Sequence, residues 1–197
     1  MEIKKIERLE NVIREISGMS LKDFELSKSF WYEKDYKKGE FYNEYKNVCK
    51  YLGFVISGVF RIYKYDEQTN SERNILFFSN DQFMSSYKSF LSQTSCAYYT
   101  ESMTNSEILY IHYDDLQYLY KTSPAWEHFG RIFAETVLHA VMHNTELLLF
   151  KTAEERYVDM LQQHPDILQS VQLYHIASYL GIEGPSLSRI RKRMGRR

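Results

Sequence analysis

The sequence predicts an α+β protein with three parts: an N-terminal antiparallel β-roll of jelly-roll type, a long helix and a C-terminal helix-turn-helix. Three observations lead to this prediction. Short aromatic-rich runs follow one another through residues 29–112, an amphipathic stretch without interruption covers 125–150, and helix signals with a basic end fill the remainder. The predicted boundaries are 1–123 for the β-roll, 124–150 for the long helix and 151–197 for the helix-turn-helix domain.

The composition is that of a chain with a substantial core. Of 197 residues, 44% are hydrophobic and 16% aromatic, with 17 Tyr and 12 Phe against three Pro. These values exclude a disordered or fibrous chain. Two cysteines in no metal-binding or disulfide pattern favour a reducing compartment. Because no apolar leader or membrane-length apolar run is present, we expect a cytoplasmic protein without a membrane segment.

The net charge of −1 hides an uneven distribution. Residues 151–197 hold eight basic and five acidic side chains, and the rest of the chain is correspondingly acidic. Six of the last nine residues are Lys or Arg, and none is acidic. An acidic body with a basic end indicates an anionic partner.

The first 123 residues are predicted to begin with a helix and continue as strands. Apolar residues recur every three or four positions over 2–17, which indicates an amphipathic helix. Short Phe, Tyr, Val and Ile runs separated by turn-prone segments then predict an antiparallel barrel or jelly roll. Residues 51–65 read as two strands joined through Ser57 and Gly58, the second forming a hairpin with 73–78.

Two helices are predicted after the last strand. Asp114 and Asp115 open a short one, where N-capping is favoured over acid–base chemistry because no second catalytic group lies near in sequence. The second covers 125–150 and is apolar over more than one face. Packing against a second copy of itself is favoured, and a helix buried within one chain is the alternative.

A new helix is expected to begin after residue 151. Thr152 and Glu155 have the spacing of a capping box, which predicts a helix as far as Gln163. His164 and Pro165 then interrupt it.

Residues 173–192 fit a helix-turn-helix. Ala177 is small where two helices would approach each other, and Gly181, four positions later, tolerates a left-handed turn. Apolar residues flank the turn and recur on the second helix as Leu187 and Ile190. Pro185 suits the first turn of that second helix.

The outward residues of the second helix suit double-stranded DNA. Its N-terminal part would lie nearest the base edges, so Ser186, Ser188 and Arg189 are candidate base contacts, with Arg189 suited to a bidentate contact with guanine. Lys192, Arg193 and the tail residues 196–197 are candidate phosphate contacts. The alternative is a basic helix end that only stabilises the helix dipole or is solvated.

On these motifs the chain resembles the Crp/Fnr family of bacterial transcription regulators over nearly its full length. YLGFVISGVFRIYKY is similar to the strand–Gly–strand signature of the family, FFSNDQF to the approach to its effector pocket, and HIASYLGIEGPSLSRIRKRM to its recognition unit. The resemblance implies a β-roll like a cyclic nucleotide-binding domain, a dimerisation helix and a homodimer on a palindromic DNA site. It adds RNA polymerase as a further candidate partner.

The sequence departs from the family at the effector pocket. The candidate pocket residues are Phe83, Ser85, Ser86, Cys96 and Ala97, where cyclic nucleotide-binding members have a Gly-Glu pair and an Arg followed by a hydroxyl residue. Since a buried cyclic phosphate needs a cationic partner, we expect no cyclic AMP binding in the usual manner, and no other cofactor. The iron–sulfur cysteines of the oxygen-sensing members are absent as well, because the chain has only two cysteines.

The recognition unit departs as well. Pro185 replaces an acidic residue that often precedes the first Ser, so the half-site preference does not carry over. The wing that often follows the second helix is expected to be missing.

Other residue patterns carry weaker signals. His139 and His143 have the spacing of two metal ligands on one helix face, but core or interface histidines are favoured, and no metal site is predicted. Cys96 is a candidate redox residue, with an inert buried thiol as the alternative. Residues 29–111 contain no His, which argues against a metal-dependent jelly-roll enzyme, and no catalytic motif is present.

The hypothesis from the sequence is therefore a homodimeric, DNA-binding transcription regulator and not an enzyme. An unidentified effector or partner in the β-roll would control it. The alternative is a ligand- or protein-binding module whose degenerate helix-turn-helix does not bind DNA.

Overall fold

A computed structural model describes residues 3–195. The first part of the chain contains eight strands, which are divided equally between two antiparallel sheets. The strands are β1 (Trp31–Tyr36), β2 (Phe41–Asn43), β3 (Tyr51–Ser57), β4 (Phe60–Asp66), β5 (Ser71–Phe78), β6 (Phe83–Met84), β7 (Tyr99–Ser102) and β8 (Ser106–His112).

Nine α-helices surround and follow the strands in the described residues. The helices are α1 (Ile3–Ser17), α2 (Leu21–Glu25), α3 (Tyr87–Ser92), α4 (Tyr113–Thr122), α5 (Pro124–Phe150), α6 (Ala153–Gln163), α7 (Pro165–Ser170), α8 (Leu173–Tyr179) and α9 (Gly184–Met194).

The two sheets have the strand orders β1-β8-β3-β6 and β2-β7-β4-β5, and together they form a β-roll. The predicted hairpin is present, because β4 pairs with β5 from Phe60 opposite Phe78 to Asp66 opposite Ser71. In the other sheet β8 lies between β1 and β3. Both the α+β class and the antiparallel roll predicted from the sequence are confirmed.

Gly58 carries the chain from one sheet to the other. It follows β3, and β4 begins two residues later in the opposite sheet. Its φ of +104° lies in the region that favours glycine, and a Cβ at this position would lie 2.8 Å from the Cα of Ser106. The residue that follows β3 therefore needs both the backbone freedom and the small size of glycine.

The main core lies between the roll and the helices α1, α4 and α5. Leu9 and Ile13 of α1 are fully buried, as are Trp126 and Phe129 of α5. The indole Nε1 of Trp126 donates to the carbonyl of Asp23 at 3.0 Å, which fixes the start of α5 against the N-terminal helices. Burial of these side chains supplies the main stabilisation of this packing.

Most helix predictions are confirmed, and one detail is wrong. Asp114 and Asp115 lie in the first turn of α4, but the N-cap position belongs to His112, whose side chain makes no capping bond. The strand β8 continues to His112, so the N-cap lies two residues before Asp114. In the first turn, the two carboxylates instead stabilise α4 by their favourable interaction with the helix dipole.

The predicted domain boundaries fall at the two ends of α5. The division into three domains stays a prediction, because a second hydrophobic cluster joins Val59, Phe77 and Met103 of the roll to the C-terminal helices. Among residues 3–195, no helix is long and apolar enough to cross a membrane.

Candidate nucleic-acid interface

The helices α8 and α9 form the helix-turn-helix predicted from the sequence. The amide of Ile182 donates to the carbonyl of Ala177 at 3.0 Å, which closes the end of α8. Gly181 has a φ of +67°, the left-handed conformation that the spacing predicted. Leu187 and Ile190 of α9 are buried against the neighbouring helices.

The preceding helices support this unit. Thr152 and Glu155 form the predicted capping box at the start of α6, with reciprocal bonds between side chains and backbone. Tyr157 and Met160 of α6 and Ile167 of α7 are buried in the same cluster as α8 and α9. Because its inner face is packed in this way, α9 presents one defined outer face.

The outer face of α9 carries the five predicted DNA-contact residues. Ser188, Arg189, Lys192 and Arg193 are exposed, and Ser186 is half-buried. The guanidinium of Arg189 donates to the hydroxyl of Ser186 at 3.2 Å.

Arg193 pairs with Glu154 of α6, so that side chain is engaged within the chain. The contacts predicted for Arg196 and Arg197 lie outside the described residues. Whether any of these side chains contacts DNA stays a prediction.

The structure places the predicted effector-pocket residues in different surroundings, and a shared pocket stays a prediction. Phe83 and Ser85 reach a cavity beside α5, whereas the hydroxyl of Ser86 lies buried, 3.0 Å from that of Thr100. Cys96 is buried and Ala97 is exposed.

Among the described residues of the roll, the buried side-chain nitrogen and oxygen atoms have hydrogen-bond partners. The hydroxyl of Ser85 lies 3.4 Å from the thiol of Cys49 and donates to the carbonyl of Tyr51 at 3.2 Å. The Cys96 sulfur accepts from the amide of Tyr98 at 3.4 Å. Burial raises the pKa of the Cys49 thiol, which favours its unreactive protonated form.

His139 and His143 of α5 do not share a contact. His139 is exposed, and Nε2 of His143 lies 3.2 Å from Oδ1 of Asp159 on α6. In the part of the chain that the structure describes, no group of three or more His, Cys, Asp or Glu side chains could hold a metal ion.

A buried polar junction that the sequence patterns did not predict joins the roll to α8. Arg61 is only 4% exposed and pairs with Glu72 at 2.6 Å and with Glu101 at 2.5 Å. It also contacts His175 of α8, and Asn74 donates to the carbonyl of His175 at 3.1 Å.

Burial, followed by the Arg61 charge, lowers the pKa of His175 to about 4. The imidazole is therefore neutral at pH 7. One indication of this junction was present in the sequence, since Arg61 is a charged residue within an apolar run. Its partners could not be inferred, because they lie up to 114 residues away.

At the same junction, the hydroxyl of Ser178 bonds two backbone groups of β5. The amide of Asn74 donates to Oγ of Ser178 at 3.0 Å, and that hydroxyl donates to the carbonyl of Glu72 at 2.9 Å. Since β5 is the last strand of its sheet, Ser178 satisfies backbone groups that would otherwise lack a partner. The first helix of the helix-turn-helix is thus held to the roll by buried contacts.

The β-roll, the long α5 and the exposed basic helix α9 together define a helix-turn-helix protein with a β-roll N-terminal part. Solved structures of Crp/Fnr-type regulators share this fold, which confirms the resemblance at the level of structure. No family model matches the sequence, and no curated protein matches it significantly.

Three of these structures illustrate the likeness. FixK2 from Bradyrhizobium japonicum is 18% identical, with 84% of each chain covered and a TM-score of 0.70. A transcriptional regulator assigned to the Crp/Fnr family, from Eubacterium rectale, is 15% identical, with 94% of this chain and 88% of that chain covered and a TM-score of 0.69. The cyclic di-GMP-responsive regulator CLP from Xanthomonas campestris is 18% identical, with coverages of 89% and 92% and a TM-score of 0.63. At these identities the likeness shows the fold.

Proposed function

We propose that the protein is a DNA-binding transcription regulator that reads a palindromic site as a homodimer. The observation that carries this proposal is the two-sided character of α9. Leu187 and Ile190 fix its inner face in the core, while Ser188, Arg189 and Lys192 are exposed along its outer face. A helix held in this way fits the major groove.

Different residues of the outer face are proposed to contact bases and phosphates. Arg189 is the side chain suited to a bidentate contact with guanine, and its bond to Ser186 orients it beforehand. Ser186 and Ser188 are placed for a base edge or a phosphate. Lys192 lies in the last turns of α9, where it contacts a phosphate without reading sequence, and Arg193 does the same once it exchanges Glu154 for a phosphate.

The second half of α5 supports the homodimer. Leu138, Met142 and Leu149 are 58%, 53% and 69% exposed and recur at intervals of four and seven residues along α5. A row of large apolar side chains exposed to water is typical of a surface that binds another protein. A second copy of α5 provides that surface by symmetric packing.

Control of DNA binding is proposed to act through the packing of the helix-turn-helix on the roll. In a symmetric dimer, the two α9 helices read half-sites only when they lie about 34 Å apart, one turn of DNA. An effector or partner that prefers one packing of α5 and α8 shifts the population towards or away from that spacing.

The alternative function is a ligand- or protein-binding module whose helix-turn-helix does not bind DNA. Two contacts favour it: α8 is fixed to the roll by buried polar groups, and Arg193 is engaged with Glu154. In this alternative, the C-terminal helices are an integral part of the body that binds the ligand.

Duplex binding measured by fluorescence anisotropy separates the two functions. The probe is DNA from upstream of the protein's own gene, titrated over a salt series with an unrelated duplex as reference. Arg189→Ala is expected to weaken binding to the preferred duplex by about 5- to 150-fold, the effect of losing one bidentate base contact. The control is Arg73→Ala, because the Arg73 side chain is 70% exposed on β5.

No duplex binding at any salt concentration, or binding that is equal for wild type, Arg189→Ala and Arg73→Ala, would favour the module. Cyclic AMP and cyclic GMP are added in parallel. Affinity that is unchanged by both nucleotides agrees with the satisfied polar groups inside the roll, whereas binding that requires either one contradicts our interpretation of that region.

A further inference from the structure

A cavity of about 630 Å³ lies between the roll, α5 and the C-terminal helices. An adjoining cavity of about 270 Å³ shares five of its lining residues. The larger cavity alone falls within the range of about 300–1,000 Å³ that is typical of small-molecule sites. Its walls come from α1, β5, β6, α3, α5, α6 and α8, together with His164 at the end of α6.

Aromatic rings form much of the wall. Phe133 of α5 has its ring centroid 5.2 Å from that of Phe83 and 5.6 Å from that of Tyr87. On the other side, Phe77 of β5 and Tyr179 of α8 contact each other with centroids 5.5 Å apart. A ligand in this space would bury apolar surface against both the roll and the helix-turn-helix.

The charges around the cavity argue against an anionic ligand. Among the described residues that line it there is no Lys or Arg. Its two acidic residues are already engaged, Asp81 by Arg8 at 2.7 Å and Asp159 by His143 at 3.2 Å. A phosphate or carboxylate in this space would lose its hydration without gaining a cation.

One buried polar atom at the cavity lacks a partner. His164 lines the cavity, and its Nδ1 is buried without a hydrogen bond in the described part of the chain. Its backbone amide is satisfied by the carbonyl of Met160 at 2.9 Å, so the main chain holds the residue in place. A buried nitrogen without a partner destabilises the protein, and a hydrogen-bonding group in the cavity would remove that cost.

We propose that this cavity binds a neutral, mainly apolar small molecule with one hydrogen-bonding group directed at His164 Nδ1. The site lies outside the interior of the roll, where Ser86 and Cys96 are buried, and apart from the outer face of α9. Binding at this site does not depend on whether α9 binds DNA.

Two fluorescent probes with the same aromatic skeleton test the proposal on the full chain. N-phenylnaphthylamine is neutral and has one N–H donor, whereas anilinonaphthalene sulfonate adds a negative charge. Saturable binding is expected for the neutral probe, with a Kd at least about tenfold below that of the sulfonate, because the cavity offers no cation. Equal or tighter binding of the sulfonate, or no saturable binding of the neutral probe, would overturn the proposal.

Substitutions on α5 locate the bound probe. Ala140 lines the cavity, so Ala140→Phe fills part of it and is expected to weaken binding of the neutral probe at least about tenfold by steric exclusion. His139 is exposed on α5, lines neither cavity and lies off the row of Leu138 and Met142, so His139→Phe serves as the control, with unchanged affinity expected. If the two variants bind equally, the probe is not in this cavity and the proposal is wrong.

His164→Phe tests the hydrogen bond and is expected to fold, because it removes an unpaired polar atom. The affinity for the neutral probe is expected to fall by about 3- to 10-fold, the net effect of one hydrogen bond. Unchanged affinity in this variant would contradict the role assigned to Nδ1, even if Ala140→Phe failed to fold.

Discussion

Nη1 of Arg61 in β4 lies 2.9 Å from Nδ1 of His175 in α8. Because guanidinium has only donors, Nδ1 must accept, and the proton of the neutral ring is on Nε2. A second proton on His175 would remove this acceptor and place two positive charges in contact. The attachment of the helix-turn-helix to the roll is therefore sensitive to pH.

Lowering the pH is expected to weaken the contact between α8 and β5. The pKa of His175 is about 4 when docked against 6.5 for a free histidine, so the undocked state binds more protons between these values. The contact is at full strength above pH 6.5 and is lost as the pH falls towards 4. Relative to pH 7, the docking equilibrium at pH 5 is expected to be about 10- to 30-fold less favourable.

Hydrogen exchange of the Asn74 amide, which donates to Ser178, measures this opening. Exchange rates corrected for the intrinsic pH effect are expected to rise as the pH falls. The variant His175→Gln cannot take up the proton and serves as the control. An equal pH dependence in both proteins would contradict a role for His175.

Gly58→Ala is expected to lower the free energy of unfolding by about 2–4 kcal/mol, because a Cβ meets Ser106 and φ is positive. Gly39 is the matched control: its φ of +89° is also positive, but no atom lies within 4 Å of an added Cβ. Gly39→Ala should therefore lower the free energy of unfolding by only about 1 kcal/mol, the effect of the positive φ alone. Urea unfolding measures both, and equal losses would exclude the contact with Ser106 as a cause.

Leu138→Glu is expected to raise the dimer dissociation constant at least about tenfold, since the apolar contact between two α5 helices would have to bury a carboxylate. Sedimentation velocity over a concentration series measures the change. Leu91→Glu is the control, because Leu91 on α3 is 51% exposed, close to the 58% of Leu138. A wild-type protein that remains monomeric throughout would remove the basis for this interface.

Lys192→Gln is expected to weaken DNA binding to all sequences alike. A phosphate contact releases about 0.9 counterion, so the slope of log K against log salt should become shallower by about that amount. Anisotropy titrations on the preferred and unrelated duplexes provide both slopes. A loss confined to the preferred duplex would instead make Lys192 a base contact.

Local sequence patterns predicted most helices and strands of this fold, but they did not predict the polar contacts between residues far apart in the sequence. The capping box of Thr152 and Glu155 and the left-handed Gly181 each depend on a few neighbouring residues, and both are present. The contact between Arg61 and His175 depends on how the roll and α8 pack, which no local spacing encodes. The same reason explains why Phe83 lies at a cavity beside α5 while Ser86 and Cys96 are buried within the roll.

The hydroxyl of Ser178 at the edge of β5 has a consequence for how the chain avoids self-association. An uncovered outermost strand is a template on which another molecule can extend the sheet, which is a common route to aggregates. Here the residue that bonds the edge strand, Ser178, belongs to the helix-turn-helix that also contains α9. Any form of the protein that lifts this unit away from the roll uncovers the strand, and its solubility then depends on how quickly the helix returns.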